Sequence, residues 1–231
     1  IVQVNSGGST GAITLSYVGT GGTTYAASAT PPTAAGSYTV TASVAADGNY
    51  TAGVASVPFT INRALLTITA SSDTKTYGAT KTYGAGSVAF TSAGLVNSES
   101  IGTVTISASG GMAATDAVGT YTLTPSAATA GTFSVANYTV SYAGGILSVT
   151  KATPTITVAI APGGFTYNGT AQGPGIGQVN SGGSTGAITL SYGGTGGTSY
   201  GPLADRPTFP GTYTVTASVA SDSNYNGASS G

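Results

Sequence analysis

Apolar and hydroxyl-bearing residues alternate in short segments along the whole chain. In GTYTVTASV (Gly211–Val219), every second residue from Tyr213 to Val219 is apolar, and the residues between them are threonine or serine. AITLSY (Ala187–Tyr192) and NYTVSY (Asn137–Tyr142) alternate in the same way. A period of two places the apolar residues on one face of an extended backbone, which is typical of a half-buried β-strand. The pattern therefore predicts a strand in each of these segments.

Other short segments rich in β-branched and aromatic residues extend this pattern, and none has the period of an amphipathic helix. These further predicted strands cover residues 65–69, 87–91, 102–107, 119–124, 146–151 and 155–160. Turns rich in glycine, serine and asparagine separate them, such as NSGGSTG and SASGG. Short strands at regular spacing are typical of an all-β sandwich or barrel. We expect an all-β fold of tandem Ig-like β-sandwich domains in a linear array, without disulfides.

The chain contains a long internal repeat. Residues 1–56 align without a gap to residues 176–231, and 37 of the 56 pairs are identical. The segment VNSGGSTGAITLSY occurs letter for letter at both places. Repetition at a fixed offset is typical of proteins built from a series of similar domains.

A basic residue followed by alanine and a β-rich run occurs twice and predicts the unit boundaries. These runs begin at Arg63-Ala64 and at Lys151-Ala152. We therefore predict a first A copy at 1–63, a B unit at 64–152 and a second A copy at 153–231. The first A copy lacks counterparts of residues 153–175, and the second lacks a counterpart of Val57–Arg63. Both A copies are thus expected to be incomplete, the first without its N-terminal strands and the second without its last strand.

Two explanations for these incomplete units stay open. The chain is either an excerpt from a longer A-B-A-B array or a subunit that polymerises head to tail by donating a strand. Both explanations predict a filament whose partners are further copies of the same repeats, in the same chain or in neighbouring chains.

The predicted junctions are short. The residues that form them are Arg63, Ala64, Lys151, Ala152 and Pro154. A connection of this length, in which Pro154 fixes one backbone dihedral, restricts bending between neighbouring units. We expect the array to behave as a stiff rod.

Each unit carries a Gly-x-Tyr motif about two strands before its end. The tyrosines are Tyr38, Tyr121 and Tyr213. In Ig-like sandwiches a tyrosine at the start of the penultimate strand forms a tyrosine corner, in which its hydroxyl bonds upstream backbone. The alternative is an ordinary core tyrosine, and neither assignment is catalytic.

The composition excludes most enzyme chemistry. The chain has no histidine, cysteine or tryptophan and a net charge of -1. Histidine triads, thiol nucleophiles, disulfides and the usual zinc ligands are therefore absent, and we predict no catalytic, cofactor or metal site. The near-neutral charge does not favour nucleic-acid binding, and no apolar run is long enough to span a membrane. Because solubility depends on threonine and serine, we expect stability to respond weakly to salt and pH.

Two short motifs that resemble ligand sites have simpler explanations. GPGIG (Gly173–Gly177) lacks the glycine spacing and the following helix of a phosphate loop and is expected to be a surface turn. DGNY (Asp47–Tyr50) and its counterpart DSNY (Asp222–Tyr225) supply one carboxylate each. We predict an Asx-type turn at both places.

Several motifs resemble a known family of repeats. NYTVSYAGGILSVTKA (Asn137–Ala152), with KTYGAT (Lys75–Thr80) upstream, resembles the MBG repeats ("mostly beta, glycine-rich", YGX type) of large bacterial surface proteins. FTYNGTAQ (Phe165–Gln172) and PGTYTVTASVASDSNY (Pro210–Tyr225) are similar to the Ig-like repeats that accompany them. KTYG occurs a second time at Lys81, which departs from the family pattern and leaves the local strand register open.

The resemblance implies a protein displayed outside a bacterial cell, at its surface, with an adhesin-like or stalk function and no enzymatic activity. We expect a structural segment of a filament, stalk or surface layer. The alternative is an adhesin segment whose loops bind a glycan or a surface protein.

Overall fold

Strands form nearly all of the regular structure in this chain. The structure is a computed structural model that describes residues 4–231, so residues 1–3 of the first A copy lie outside the described residues. Within the described residues there are fifteen strands, two 3₁₀ turns (Val135–Asn137 and Ile176–Gln178) and no α-helix. The strands are β1 (Ile13–Thr20), β2 (Gly36–Val44), β3 (Gly53–Ile61), β4 (Ala64–Ala70), β5 (Asp73–Thr76), β6 (Phe90–Ala93), β7 (Ile101–Ala108), β8 (Gly119–Gly131), β9 (Tyr138–Ala143), β10 (Gly145–Thr150), β11 (Thr157–Val158), β12 (Val179–Asn180), β13 (Ile188–Thr195), β14 (Thr212–Val219) and β15 (Ala228–Ser229). The all-β prediction is confirmed.

The chain forms two compact units. Unit 1 contains the described chain up to Ala70, together with Ala85–Thr105 and Pro125–Ala143. Unit 2 contains Ser71–Gly84, Ile106–Thr124 and Gly144–Gly231. Each unit therefore holds one A copy and part of the B unit, and the predicted boundaries at 63/64 and 152/153 stay predictions.

Unit 1 contains two three-stranded sheets. The first has the order β1-β2-β3, with antiparallel neighbours. Tyr17, Tyr38 and Val40 are its buried side chains. The second has the order β6-β4-β9, in which β4 runs parallel to β9 and antiparallel to β6. Leu66 and Ile68 of β4 are fully buried, as expected for alternate residues of a strand with one inward face.

Unit 2 contains the sheet β5-β10-β8-β7, although β7 and β8 begin or end in unit 1. Strand β10 lies parallel to β5 and antiparallel to β8. The second A copy adds the sheet β13-β14-β15 and the short pair β11-β12. Its core consists of Ile156, Ala217 and Val219, with partly buried apolar residues around them.

The sequence repeat gives the same hairpin twice. In the first A copy Ile13 pairs with Val44, and in the second Ile188 pairs with Val219, at the same offset. The strand that follows differs, because β3 has nine residues and β15 has two. The second hairpin therefore has a longer open edge than the first.

Three predicted strands differ from those in the structure. The segment predicted at 155–160 forms only β11, because its antiparallel partner β12 has two residues. Strand β12 lies between the 3₁₀ turn Ile176–Gln178 and a turn in which the Ser184 N–H donates to the Ser181 carbonyl. The segment predicted at 87–91 begins as a strand only at Phe90, since the Ala89 N–H is bonded to the Ser87 hydroxyl. The segment predicted at 119–124 continues to Gly131 as β8.

Candidate interaction site at the domain junction

The junction between the B unit and the second A copy is held by backbone hydrogen bonds within unit 2. The Ala152 N–H donates to the Asn224 carbonyl at 3.0 Å, and the Asn226 N–H donates to the Ala152 carbonyl at 2.8 Å. Ala152 and Tyr225 thereby form a parallel β-bridge. Ala152 is therefore paired with the second A copy in the same way as a residue of a β-sheet, and it does not form a flexible linker.

The other predicted linker residues of this junction also have partners in the second A copy. The Lys151 ammonium donates to the Ser221 hydroxyl at 2.9 Å and to the Asp222 carbonyl. Pro154 is buried, and a Cβ at Gly182 would lie 3.1 Å from the Pro154 Cβ. Glycine at position 182 therefore leaves the space in which Pro154 packs.

Side chains from the KTYG motif form the B-unit surface of this junction. The Tyr77 and Tyr225 rings meet edge to face, with centroids 5.4 Å apart. Tyr77 follows β5 directly, and its N–H donates to the Thr150 carbonyl at 2.8 Å. The Asn224 side-chain oxygen accepts from the Val118 N–H at 3.3 Å. Residues Asp222–Asn226, which we call the junction turn, thus contact three segments of the B unit.

A related hydrogen bond joins the first A copy to the B unit within unit 1. The Asn137 side-chain oxygen accepts from the Ala35 N–H at 3.0 Å. Only Asn62 and Arg63 lie between β3 and β4, where Arg63 is exposed and Ala64 pairs with Tyr138. In both junctions the acceptor is an asparagine that precedes a tyrosine, and the donor is the residue before a Gly-x-Tyr motif.

The three tyrosines of the Gly-x-Tyr motifs make equivalent hydrogen bonds. Their hydroxyls donate to the carbonyl four residues upstream: Tyr38 to Ala34 at 2.8 Å, Tyr121 to Ala117 at 2.9 Å and Tyr213 to Phe209 at 2.8 Å. In the first two cases the residue that follows the accepting carbonyl donates its backbone N–H to the asparagine of the junction. In the second A copy that residue is Pro210, which has no N–H. The geometry agrees with what a tyrosine corner requires, and the corner itself stays a prediction.

A carboxylate organises the junction turn. Asp222 Oδ2 accepts from the Ser184 hydroxyl at 3.0 Å and from the Thr185 N–H and hydroxyl at 2.6 and 3.0 Å. Asp222 Oδ1 accepts from the N–H groups of Asn224 and Tyr225 at 2.8 and 2.7 Å. Asp47 makes the corresponding bonds in the first A copy, with Ser9, Thr10, Asn49 and Tyr50. The predicted Asx-type turn is confirmed at both places.

These hydrogen bonds hold the pKa of both aspartates well below the usual range. The backbone N–H of Thr185 has the largest effect on the pKa of Asp222, and that of Asn49 has the largest effect on the pKa of Asp47. Hydrogen bonds to a carboxylate favour its charged form. A lowered folded pKa gives stability that is present above the ordinary aspartate value of about 4 and is lost as the pH falls below it.

The lowered pKa values lead to a prediction for acid stability, in contrast to the weak pH response expected from composition. The free energy of unfolding should fall as the pH is lowered from about 5 to about 2. Over this range the two aspartates bind protons in the unfolded chain but stay charged in the folded chain. Asp222→Asn should lower stability at pH 7 and reduce this slope. Denaturant titrations across the pH range measure both effects.

The matched control is Asp205→Asn, because the Asp205 side chain accepts no hydrogen bond from any residue between 4 and 231. It should leave the slope as in the parent chain. An identical loss of slope in both variants would contradict a specific role for the junction turn.

The two KTYG copies have different roles. Lys75 of the first lies in β5 and is buried, and its ammonium donates to the Ala79 and Ala113 carbonyls. Lys81 of the second pairs with Asp73 at 2.8 Å, and this ion pair lowers the pKa of Asp73. Burial, with a hydrogen bond to Asp73, raises the pKa of Tyr83 to about 12. Only the first KTYG contributes a strand, which settles the local register.

The sequence predicts the position of the linker but not the side chains that contact each other at the junction. Tyr77, Asn137, Asn224 and Tyr225 were not predicted as junction residues. A signal was present, since the dipeptide Asn-Tyr occurs at 49–50, 137–138 and 224–225. Because a dipeptide carries no information about its partner, the contact surfaces become evident only in the folded chain.

Neither a metal centre nor a membrane helix is found in the described part of the chain. Residues 4–231 contain no group of three or more acidic side chains that could hold a metal ion. They also contain no helix of the length and apolarity needed to cross a membrane.

The structure shows an all-β chain in which one hairpin occurs twice, and a comparison with protein families specifies the B unit. Residues 66–148 match the family described as MBG domain (YGX type). The resemblance of the B unit to MBG repeats is therefore confirmed, and such repeats are β-rich domains of bacterial surface proteins. No curated protein and no solved structure gives a significant match to the chain.

Proposed function

We propose that this chain is a structural segment of an extracellular filament, stalk or surface layer on a bacterial cell. In this proposal tandem β-sandwich domains form a linear array, and each junction is fixed by contacts with the next domain. The partners are further copies of the same repeats, and the chain has no enzymatic role.

The junction turn is the observation that carries the proposal. A flexible connector would leave Ala152 free, whereas its N–H and C=O both bond to the second A copy. Hydrogen bonds from Lys151 and Val118 and the ring contact of Tyr77 join the B unit to the same turn. A junction with several independent contacts resists bending because all of them must open together. Resistance to bending is what a spacer or scaffold requires.

The repeated asparagine supports an array of alternating units. Asn137 accepts from the first A copy and Asn224 accepts from the B unit, so the same type of contact joins both kinds of neighbour. Stability in such arrays depends on contacts between nearest neighbours as well as on each unit. The two junctions therefore support an array in which the same type of contact joins each unit to the next.

Electron microscopy of the native material tests this proposal. We expect filaments or layers with a lengthwise repeat of one A-B pair. A surface without such order, together with saturable binding of the chain to a component of a glycan array, would instead support the adhesin alternative and contradict the scaffold.

A further inference from the structure

Three segments of the chain have the sequence Asn-x-Thr, in which an activated sugar can be attached to the asparagine side chain. They are Asn49-Tyr50-Thr51, Asn137-Tyr138-Thr139 and Asn168-Gly169-Thr170. Attachment needs an exposed amide nitrogen that has no other partner, with the threonine hydroxyl close to the same amide. The sequence offers this pattern three times, and the folded chain decides which asparagine has the geometry.

The Asn168 side chain has the required geometry. Its Oδ1 accepts hydrogen bonds from the Thr170 N–H at 3.0 Å, from the Thr170 hydroxyl at 2.7 Å and from Gln172 Nε2 at 2.7 Å. A backbone N–H is only a donor, so the atom beside it is the oxygen and the orientation of the amide is settled. Asn168 Nδ2 therefore faces away from Thr170, and it donates no hydrogen bond to any residue between 4 and 231. The segment 161–171 around it is exposed.

The sequence around Asn168 produces this arrangement locally. Gly169 has a left-handed backbone with φ of +79°, which turns the chain back so that Thr170 reaches the Asn168 side chain. Gln172 Nε2 also donates to the Thr170 hydroxyl oxygen at 3.1 Å, and the Gln172 N–H donates to the Pro207 carbonyl at 2.8 Å. All side-chain contacts lie within the five residues from 168 to 172. The geometry of the amide thus follows from this segment alone.

The other two asparagines lack the arrangement. Asn137 is half-buried, and its side-chain oxygen accepts from the Ala35 N–H at the first junction. The residue that follows it, Tyr138, is only 2% exposed. Asn49 is exposed, but nowhere in the described chain does a hydrogen bond join its side chain to Thr51. The two sites are therefore internal controls with the same sequence pattern and a different geometry.

The hydrogen bonds to Asn168 Oδ1 favour the chemistry of attachment. An amide nitrogen is a weak nucleophile because its lone pair is delocalised onto the carbonyl oxygen. Removal of a proton from Nδ2 places negative charge on Oδ1, where the two donors of Thr170 and the donor of Gln172 stabilise it. Preorganised donors at an oxygen that gains charge are an effective means of lowering a reaction barrier.

We propose that Asn168 is an attachment site for a glycan. Its Nδ2 attacks the anomeric carbon of a sugar that carries a phosphate leaving group. The N–C bond forms, the C–O bond to the phosphate breaks with its electron pair leaving on the phosphate, and a base of the transferring enzyme takes the Nδ2 proton. The inference rests on the proposed function in one respect, namely display of the chain at the cell surface.

Mass spectrometry of peptides from the native surface material tests the proposal. We expect the peptide that contains Asn168 to carry a glycan linked through the asparagine nitrogen. The peptides that contain Asn49 and Asn137 should be unmodified. This measurement does not depend on filament order, so a failure of the proposed scaffold and a failure of this inference are distinguishable.

Transfer to the purified, folded full chain identifies the class of sugar donor. One arm uses a membrane oligosaccharyltransferase with a lipid-pyrophosphate-linked oligosaccharide, and the other uses a soluble N-glycosyltransferase with UDP-glucose. We expect Asn168 to be modified in one of the two arms, with Asn49 and Asn137 unchanged.

The Thr170→Val variant removes the hydroxyl and keeps the shape of the side chain and the backbone N–H. Transfer to Asn168 should fall at least about tenfold, because one of the three hydrogen bonds to the reacting amide is lost. Thr170→Ser is the matched control, since it keeps a hydroxyl, and it should retain most of the transfer. Unchanged NMR signals from β13 and β14 would show that both variants are folded.

Four results would overturn the inference. They are native material without a glycan at Asn168, equal modification of the three asparagines, no transfer in either arm, or equal transfer to the parent chain and a folded Thr170→Val variant.

Discussion

Gly186→Ala should destabilise the second A copy by about 3 kcal/mol or more, because the new methyl group has no space. A Cβ at Gly186 would lie 1.8 Å from the Ala220 carbonyl oxygen, which is backbone and cannot rotate away. The Ala220 N–H donates to the Ala187 carbonyl at 2.9 Å beside it, so separating the two segments also breaks the end of the β13-β14 ladder. Denaturant titration followed by the NMR signals of β13 measures the loss.

The control for this variant is Gly177→Ala in the same A copy. A Cβ at Gly177 would have no neighbour within 4 Å, and its backbone is not left-handed. Its effect should stay within about 0.5 kcal/mol. Gly11 has the same contact in the first copy, 1.9 Å from the Ala45 carbonyl oxygen, so Gly11→Ala should reproduce the loss there. Equal stabilities of the Gly186 and Gly177 variants would contradict the packing described here.

Tyr225→Ala should loosen the second A copy against the B unit while both stay folded and the backbone hydrogen bonds of Ala152 remain. The substitution removes the edge-to-face contact with Tyr77 and should weaken the junction by about 1 to 2 kcal/mol. In the parent chain, residual dipolar couplings from residues 64–152 and 153–231 should fit one alignment tensor. In the variant the two sets should require different tensors.

Tyr50→Ala is a closely matched control, because Tyr50 is the counterpart of Tyr225. Each tyrosine hydroxyl lies over a glycine of its own copy, 3.1 Å from a Cβ at Gly8 and 2.9 Å from a Cβ at Gly183. Only Tyr225 also meets a tyrosine of the B unit, whereas Tyr50 is 47% exposed. Tyr50→Ala should therefore leave the shared tensor intact. A shared tensor in the Tyr225 variant would show that this ring does not hold the junction.

Much of the strand content could be predicted from alternation. Strands β9, β13 and β14 lie where Tyr138, Ile188 and Tyr213 begin an alternating pattern, since one buried face imposes the period of two. Strand ends were less predictable. Pro125 does not end β8, which continues to Gly131, and the limit of β11 is set by its distant partner β12.

The candidate site was predictable in position but not in chemistry. A short linker at Lys151-Ala152 follows from the sequence, and the Asx-type turn at Asp222 follows from its residue types. The contacts of Tyr225 with Tyr77 depend on residues far apart in the chain.

Amide hydrogen exchange at Asn226 tests the central claim, a fixed junction between the B unit and the second A copy, most directly. Its N–H donates to the Ala152 carbonyl, while the counterpart Thr51 is exposed and has no such bond within the described chain. We predict that the Asn226 amide is protected to a degree similar to amides of β10, and that the Thr51 amide exchanges rapidly. Equally rapid exchange at Asn226 and Thr51 would contradict the account.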